Sequence, residues 1–259
     1  MTKPKGKFRP VTIKDSSELP TRPARAAWPA IAALLPAYNE AGRIESVLRV
    51  LSQVSELEEI LVIDDGSSDR TSEVVQACAR QDLRIRLIRH PRNRGKGQAV
   101  FSGAGATRAT FLLMLDSDLR GLAPSHIRSL IQPVLSGQAD MTLGLFQGGQ
   151  WNTSMSHRLT PWLTGQRCFR ARLLHHVSIP AAEGYGIETA LTIAARQRGF
   201  RVQKVAWQDV SHPPSESHRG VFDGMRNRAR MYAQIVRAWY LASGSRRLIA
   251  RLRHWLSFG

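Results

Sequence analysis

Asp116-Ser117-Asp118 follows an apolar run, and in extended backbone residues i and i+2 point to the same side. Two carboxylates so placed can face one hard divalent cation, with water and phosphate oxygens completing its shell. The same tripeptide also serves as a surface turn or a helix cap. Asp64-Asp65-Gly66-Ser67-Ser68-Asp69 closes another apolar run. Asp-Gly is ordinary turn chemistry, but a carboxylate there can also accept the N–H of a pyrimidine base or ribose hydroxyls, with Gly66 letting a ligand come close. Arg94-Gly95-Lys96-Gly97 precedes a helical pattern and suits an anion at a helix N-terminus, although it lacks the spacing of a Walker A loop. Only six of 37 basic residues are lysines, and Lys96 is the sole one between Lys14 and Lys204. That marks a position where a compact ammonium, not a guanidinium fork, would serve.

Regular elements must present these clusters. Residues 30–35 form a short apolar run, and Ile44, Val47, Leu48 and Leu51 recur at helical spacing behind a candidate Asn39 cap. Strand then helix repeats. A strand is expected over 59–63, followed by a helix with Val74, Val75 and Cys78 inward and Ser68 or Asp69 as cap. Strands over 84–89 and 110–115 flank a small-residue helix over 97–107. A helix with a late kink at Pro133 is expected over 124–136, a strand over 139–145, a long loop over 146–161, a helix over 187–198 and a strand over 200–207. Continuous apolar strands between amphipathic helices call for a mostly parallel sheet covered on both faces, a Rossmann-like α/β core. In such open sheets ligands bind outside the carboxyl ends of the strands, which is where the polar clusters fall.

In their order and spacing, Pro36-Ala37-Tyr38-Asn39-Glu40, Asp64 to Asp69, Gly95-Lys96-Gly97 and Asp116-Ser117-Asp118 resemble family 2 glycosyltransferases of the GT-A fold. The resemblance covers roughly residues 30–215. Leu163-Thr164-Gly165-Gln166-Arg167 and Gly184-Tyr185-Gly186-Ile187-Glu188 are similar to acceptor-side motifs of the branch holding polyprenyl-phosphate sugar transferases and glucosyl-3-phosphoglycerate synthases. The resemblance implies a nucleotide-sugar donor pocket, with Pro36, Ala37, Tyr38 and Glu40 beside base and ribose, Asp65 on the base, and Lys96 near the base or phosphates. It implies Asp118 holding Mg²⁺ or Mn²⁺ on the diphosphate, Asp116 supporting ribose or metal, and His212 completing the metal shell, with His218 as its rival. Glu188 is then a base or an orienting group for an acceptor hydroxyl. Arg167 is the better candidate if the acceptor is itself a phosphate.

Composition narrows the setting. At 259 residues, with no apolar run near the roughly 20 residues a span requires, a disulfide-stapled miniprotein and an integral membrane protein are excluded. Cys78 and Cys168 stand apart, without CxxC spacing, which fits a reducing cytosol, and the start of the chain reads as no secretory signal. A cytoplasmic location is the expectation. The net charge of +17 sits at the ends: residues 1–30 carry +5, residues 219–259 carry +8, and the 188 between carry +4. The expected organisation is a basic tail over 1–28, a catalytic domain over 29–218 and a basic helical extension over 219–259. In the last, a helix over 220–242 suits packing on the protein itself, and residues 246–258 pair a Leu/Trp face with an Arg face, suited to an anionic membrane surface. With aromatics at 7% and a nearly neutral body, a nucleic-acid partner is not expected. The expected partners are a nucleotide-sugar donor and a lipid-linked or phosphorylated acceptor.

Overall fold

The computed structural model describes residues 30–147, 164–177, 182 and 186–211. The two basic ends, the loop over 148–161, Tyr185, His212 and His218 lie outside the described residues. Seven strands, β1 (Ile31–Ala37), β2 (Glu59–Asp64), β3 (Ile85–Arg89), β4 (Phe111–Met114), β5 (Met141–Gln147), β6 (Arg167–Arg170) and β7 (Val202–Gln208), form one sheet in the order β3-β2-β1-β4-β6-β5-β7. Five helices accompany them: α1 (Ile44–Ser52), α2 (Thr71–Ala79), α3 (Lys96–Gly105), α4 (Pro124–Leu135) and α5 (Gly186–Gln197), with a 3₁₀ turn at Ala171–His176.

Alternation along the central strands explains the two cores. Ile31, Ala33 and Leu35 face the layer that contains Ile44, Leu48 and Leu51 of α1, Val75 of α2 and Ile127, Leu130 and Ile131 of α4. Ala32 and Leu34 face Ala99 and Val100 of α3 and Ile187, Ala190 and Leu191 of α5. Both faces are dry, so every residue of β4 is buried, as a strand covered on both sides requires.

The sheet departs from the expected pattern at β6. This strand runs antiparallel to both β4 and β5, and nothing in its Arg-Cys-Phe-Arg sequence suggests a strand interior. The helix after β1 also starts later than Asn39. It begins at Ile44 behind Arg43, because Asn39 adopts a left-handed conformation (φ 58°) and uses its polar atoms elsewhere.

One residue opens the crevice. The β1–β4 ladder ends at Leu34↔Met114, whereas β1 continues beside β2 as far as Ala37↔Asp64. Pro36 has no N–H to offer on the β4 side, so the two strands part where the polar residues begin. Ser117 then donates its hydroxyl to the Pro36 carbonyl at 3.1 Å.

Candidate active site

The loops after β1 and β2 are knitted together. The Asn39 N–H donates to Ser67 Oγ at 2.9 Å, and Asn39 Oδ1 accepts the Ser68 N–H at 2.9 Å. The N–H groups of Glu40 and Ala41 donate to Thr71 Oγ1 at 2.8 Å and Asp69 Oδ2 at 3.1 Å. Asp64 is fully buried; it accepts the Ser67 N–H at 2.8 Å and the Ser72 hydroxyl. The Ala37 carbonyl takes the Asp65 N–H at 2.8 Å, and Tyr38 is half exposed beside it.

Asp65 reaches across to the loop after β3. Its Oδ1 meets His90 Nδ1 at 2.7 Å and the Arg94 N–H at 2.9 Å, and its Oδ2 accepts the Gly95 N–H at 2.7 Å. A carboxylate has about four acceptor positions, so three are already spent on holding this loop. Gly66, expected to admit a ligand, instead admits the chain itself. At φ 77°, a Cβ there would press on the Arg92–Asn93 backbone. Beside these residues opens a cleft of about 320 Å³ lined by Gly66, Ser67, Arg89, His90 and Pro91.

The fixed loop delivers Lys96 to the head of α3. Its Nζ lies 2.5 Å from Asp116 Oδ1 and 2.7 Å from Glu188 Oε1. Burial alone would lower the Lys96 pKa, but the two carboxylates more than reverse that and raise it above the ordinary lysine value. Asp116 is further clasped by Gln166, which accepts the Asp116 N–H at 3.1 Å and donates Nε2–H to Oδ2 at 2.8 Å. A Cβ at Gly165 would overlap the Asp116 carboxylate, so a glycine is needed for this approach.

Glu188, in the first turn of α5, is 3% exposed, and its Oε2 has no hydrogen-bond partner among the described residues. A buried unpaired carboxylate oxygen is costly and marks a place where a ligand donor would be accepted. Arg167 lies close by but turns inward. It is fully buried, donating Nε–H to the Thr164 carbonyl at 2.8 Å and Nη1–H to Thr192 Oγ1 at 3.0 Å. Burial pushes its pKa down to about 10, with Glu188 and Asp116 opposing the shift, so it remains a cation at neutral pH. The fork expected to grip an acceptor phosphate is directed, among the described residues, at Thr164 and Thr192.

Asp116 and Asp118 lie beyond the end of β4, which stops at Met114, with a turn at Ser117 and Asp118. Asp116 faces Lys96 and Gln166. Asp118 stands near enough to Glu40 to raise its pKa, adding to the larger effect of burial and opposed by the Arg43 ion pair at 3.1 Å. Two residues beyond Asp118, Arg120 and Ser211 exchange backbone bonds of 2.9 and 3.1 Å. Sequence reasoning missed Gln166, although it sits inside the motif ending at Arg167, and missed His90, which no local pattern distinguishes.

A mostly parallel sheet whose carboxyl-end loops meet in one polar crevice defines an open α/β protein of the GT-A class. The chain belongs to glycosyl transferase family 2, whose family model matches residues 33–189. It is similar to the glucosyl-3-phosphoglycerate synthase of Mycobacterium tuberculosis, 30% identical over 63% of this chain and 60% of that one. It also resembles the dolichyl-phosphate beta-glucosyltransferase ALG5C of Trichomonas vaginalis, 40% identical over 33% of this chain and 28% of the relative. The chain thus matches less than two thirds of the length of either relative. Among solved structures, the M. tuberculosis synthase in complex with Mn²⁺, uridine diphosphate and glucosyl-3-phosphoglycerate shares the fold. The TM-score is 0.67 at 24% identity, covering 81% of this chain and 80% of that chain.

Proposed function

We propose that this protein is a metal-dependent glycosyltransferase that moves a sugar from a uridine diphosphate sugar to a phosphorylated acceptor. The observation that carries it is the meeting of Lys96, Asp116 and Glu188 within 2.5–2.7 Å at the switch between β1 and β4. There the loop that would hold a donor and the helix that would meet an acceptor touch the same ammonium. A small phosphorylated acid ranks narrowly ahead of a lipid-linked phosphate, because the likeness to the synthase reaches 63% of the chain against 33% and 56% for two dolichyl-phosphate enzymes.

The residues present fit a hard cation. Asp118 offers carboxylate oxygen, the donor type that Mg²⁺ and Mn²⁺ accept. Among the described residues no three His, Cys, Asp or Glu side chains cluster to hold an ion by themselves. That suits a cation which shares its shell with a diphosphate. The bond at Arg120–Ser211 brings the chain back beside Asp118 just before His212, which supports His212 as a further ligand. When bound, the cation would stabilise negative charge on the departing diphosphate without proton transfer.

The chain's own residues do the rest. Lys96, held protonated by its two carboxylates, supplies fixed positive charge beside the diphosphate. Asp65 and the loops it ties would fix base and ribose, with Glu40 at the ribose. Glu188 Oε2 would accept the attacking hydroxyl's hydrogen bond, orient its lone pair toward the anomeric carbon, and take up the proton as the new C–O bond forms and the bond to the diphosphate breaks.

Thermal shift with a panel of nucleoside diphosphate sugars, with and without Mn²⁺, tests this reading, since a ligand of the native state raises the melting temperature. The expected result is stabilisation by a uridine diphosphate sugar that grows with Mn²⁺, the metal-dependent part vanishing in Asp118→Asn. A mutant that responds like the parent overturns the metal assignment. Transfer to 3-phosphoglycerate is expected without lipid. Activity only with polyprenyl phosphate in anionic vesicles, together with vesicle co-sedimentation lost on deleting residues 246–259, would reverse the acceptor ranking and favour the cytoplasmic membrane face.

A further inference from the structure

Resting on the donor reading above, we propose that His90 is a positioning residue for the donor site, a pin that fixes Asp65 and α3 and through them Lys96. His90 is 5% exposed at the carboxyl end of β3, and its backbone N–H donates to the Asp64 carbonyl at 2.8 Å. Both ring nitrogens are used: Nδ1 meets Asp65 Oδ1 at 2.7 Å and Nε2 meets Ser102 Oγ at 2.9 Å. An ionised carboxylate only accepts, so Nδ1 donates its proton toward Asp65, while Nε2 bonds with the Ser102 hydroxyl.

The consequence follows from where those partners lie. Asp65 holds the Arg94 and Gly95 N–H groups at the entry to α3. Ser102 is the seventh residue of the same helix. The Asp65–His90 pair therefore fastens α3 at its entry and again nearly two turns on, which sets the position of Lys96. A side chain in the helix interior could have bonded back to its own helix; that of Ser102 reaches sideways to the ring instead. His90 also lines the cleft of about 320 Å³ beside Gly66 and Ser67, so movement of the ring changes the wall that a bound base would touch.

The test compares full-length wild type with His90→Asn, His90→Phe and Ser102→Ala, measuring uridine diphosphate binding calorimetrically in Mn²⁺ and the donor KM and kcat of transfer. Asn keeps an amide donor where Nδ1–H stands, whereas Phe keeps bulk and loses both bonds. His90→Phe is expected to weaken nucleotide binding and raise donor KM by about 10-fold or more, with kcat changed less, since small misplacements in a site carry large penalties. His90→Asn should return to within about 3-fold of wild type, and Ser102→Ala should fall between the two. If His90→Phe folds and binds like wild type, the proposal is overturned. If it does not fold, His90→Asn and Ser102→Ala decide: equal behaviour of both with wild type in a protein of unchanged melting temperature overturns the proposal, and a graded loss of affinity supports it. A wild type that binds no uridine diphosphate overturns the donor reading, and this inference with it.

Discussion

The two walls of the crevice satisfy their polar groups in different ways. On the donor side, the loops after β1, β2 and β3 are joined by neutral and charge-assisted bonds from backbone N–H groups to Ser67, Thr71, Asp64, Asp65 and Asp69. Where the donor loop meets the acceptor helix, Asp116 and Glu188 share the charge of Lys96, Arg167 lies buried behind them, and Glu188 Oε2 is left without a partner among the described residues. The first wall is held together by the chain's own bonds. The second is a charge balance: two carboxylates and two cations sum to zero, yet one oxygen waits for a donor. Under the proposed function, such a difference fits a preformed nucleotide pocket beside an acceptor pocket completed by its ligand.

Removing the shared cation should break the contrast most severely. Lys96→Met leaves two carboxylates facing each other in a partly buried site, and loss of one partner from a buried ion pair costs about 3–5 kcal/mol. A quarter of the Lys96 side chain is exposed, so the lower end is expected. Urea unfolding should show this loss, and adding Glu188→Gln should recover part of it. No recovery would mean the carboxylates are not coupled through Lys96.

Gly165→Ala acts on Asp116, where the two walls meet. The new methyl group must displace the Asp116 carboxylate, so turnover should drop by about 10²-fold while the melting temperature falls much less. Equal loss of both would place Asp116 in folding rather than in the site. On the donor wall, Ser67→Ala removes the acceptor of the Asn39 N–H and should cost about 1 kcal/mol, with weaker nucleotide binding and an unchanged acceptor KM.

The smallest effect belongs to a site outside both walls. Burial would raise the Asp82 pKa, but hydrogen bonds from Arg84 more than offset it, so the carboxyl titrates below its ordinary value of 3.8. A depressed folded pKa stabilises the protein fully above 3.8, and the contribution fades as pH falls through the lower folded value. Asp82→Asn should therefore flatten the stability profile below about pH 4 without altering nucleotide affinity. A change in affinity would show that the two walls are not insulated from the far end of the sheet.

Which parts of this arrangement are legible in the sequence follows from how local their causes are. The strands β1, β2 and β4 and the helices α1 and α4 announce themselves through apolar spacing, and the Asp, Asn and Gly residues after them mark the rim. The strand β6 does not, because its buried Arg167 depends on Thr164 and on Thr192, which lies 25 residues away. Asn39 looks like a helix cap until its partners Ser67 and Ser68 are known. The clasp on Asp116 needs Gln166, 50 residues on. Residues satisfied by distant partners carry no local signal of their role.

A crystal structure of the full-length protein grown with uridine diphosphate and Mn²⁺ tests the central claim most directly. The expected result is the uracil in the cleft beside Gly66 and His90, the ion bound by Asp118 and a diphosphate oxygen, and Lys96 within reach of the phosphates. Nucleotide bound away from the β1–β4 switch, or an ion that Asp118 does not touch, would contradict the account.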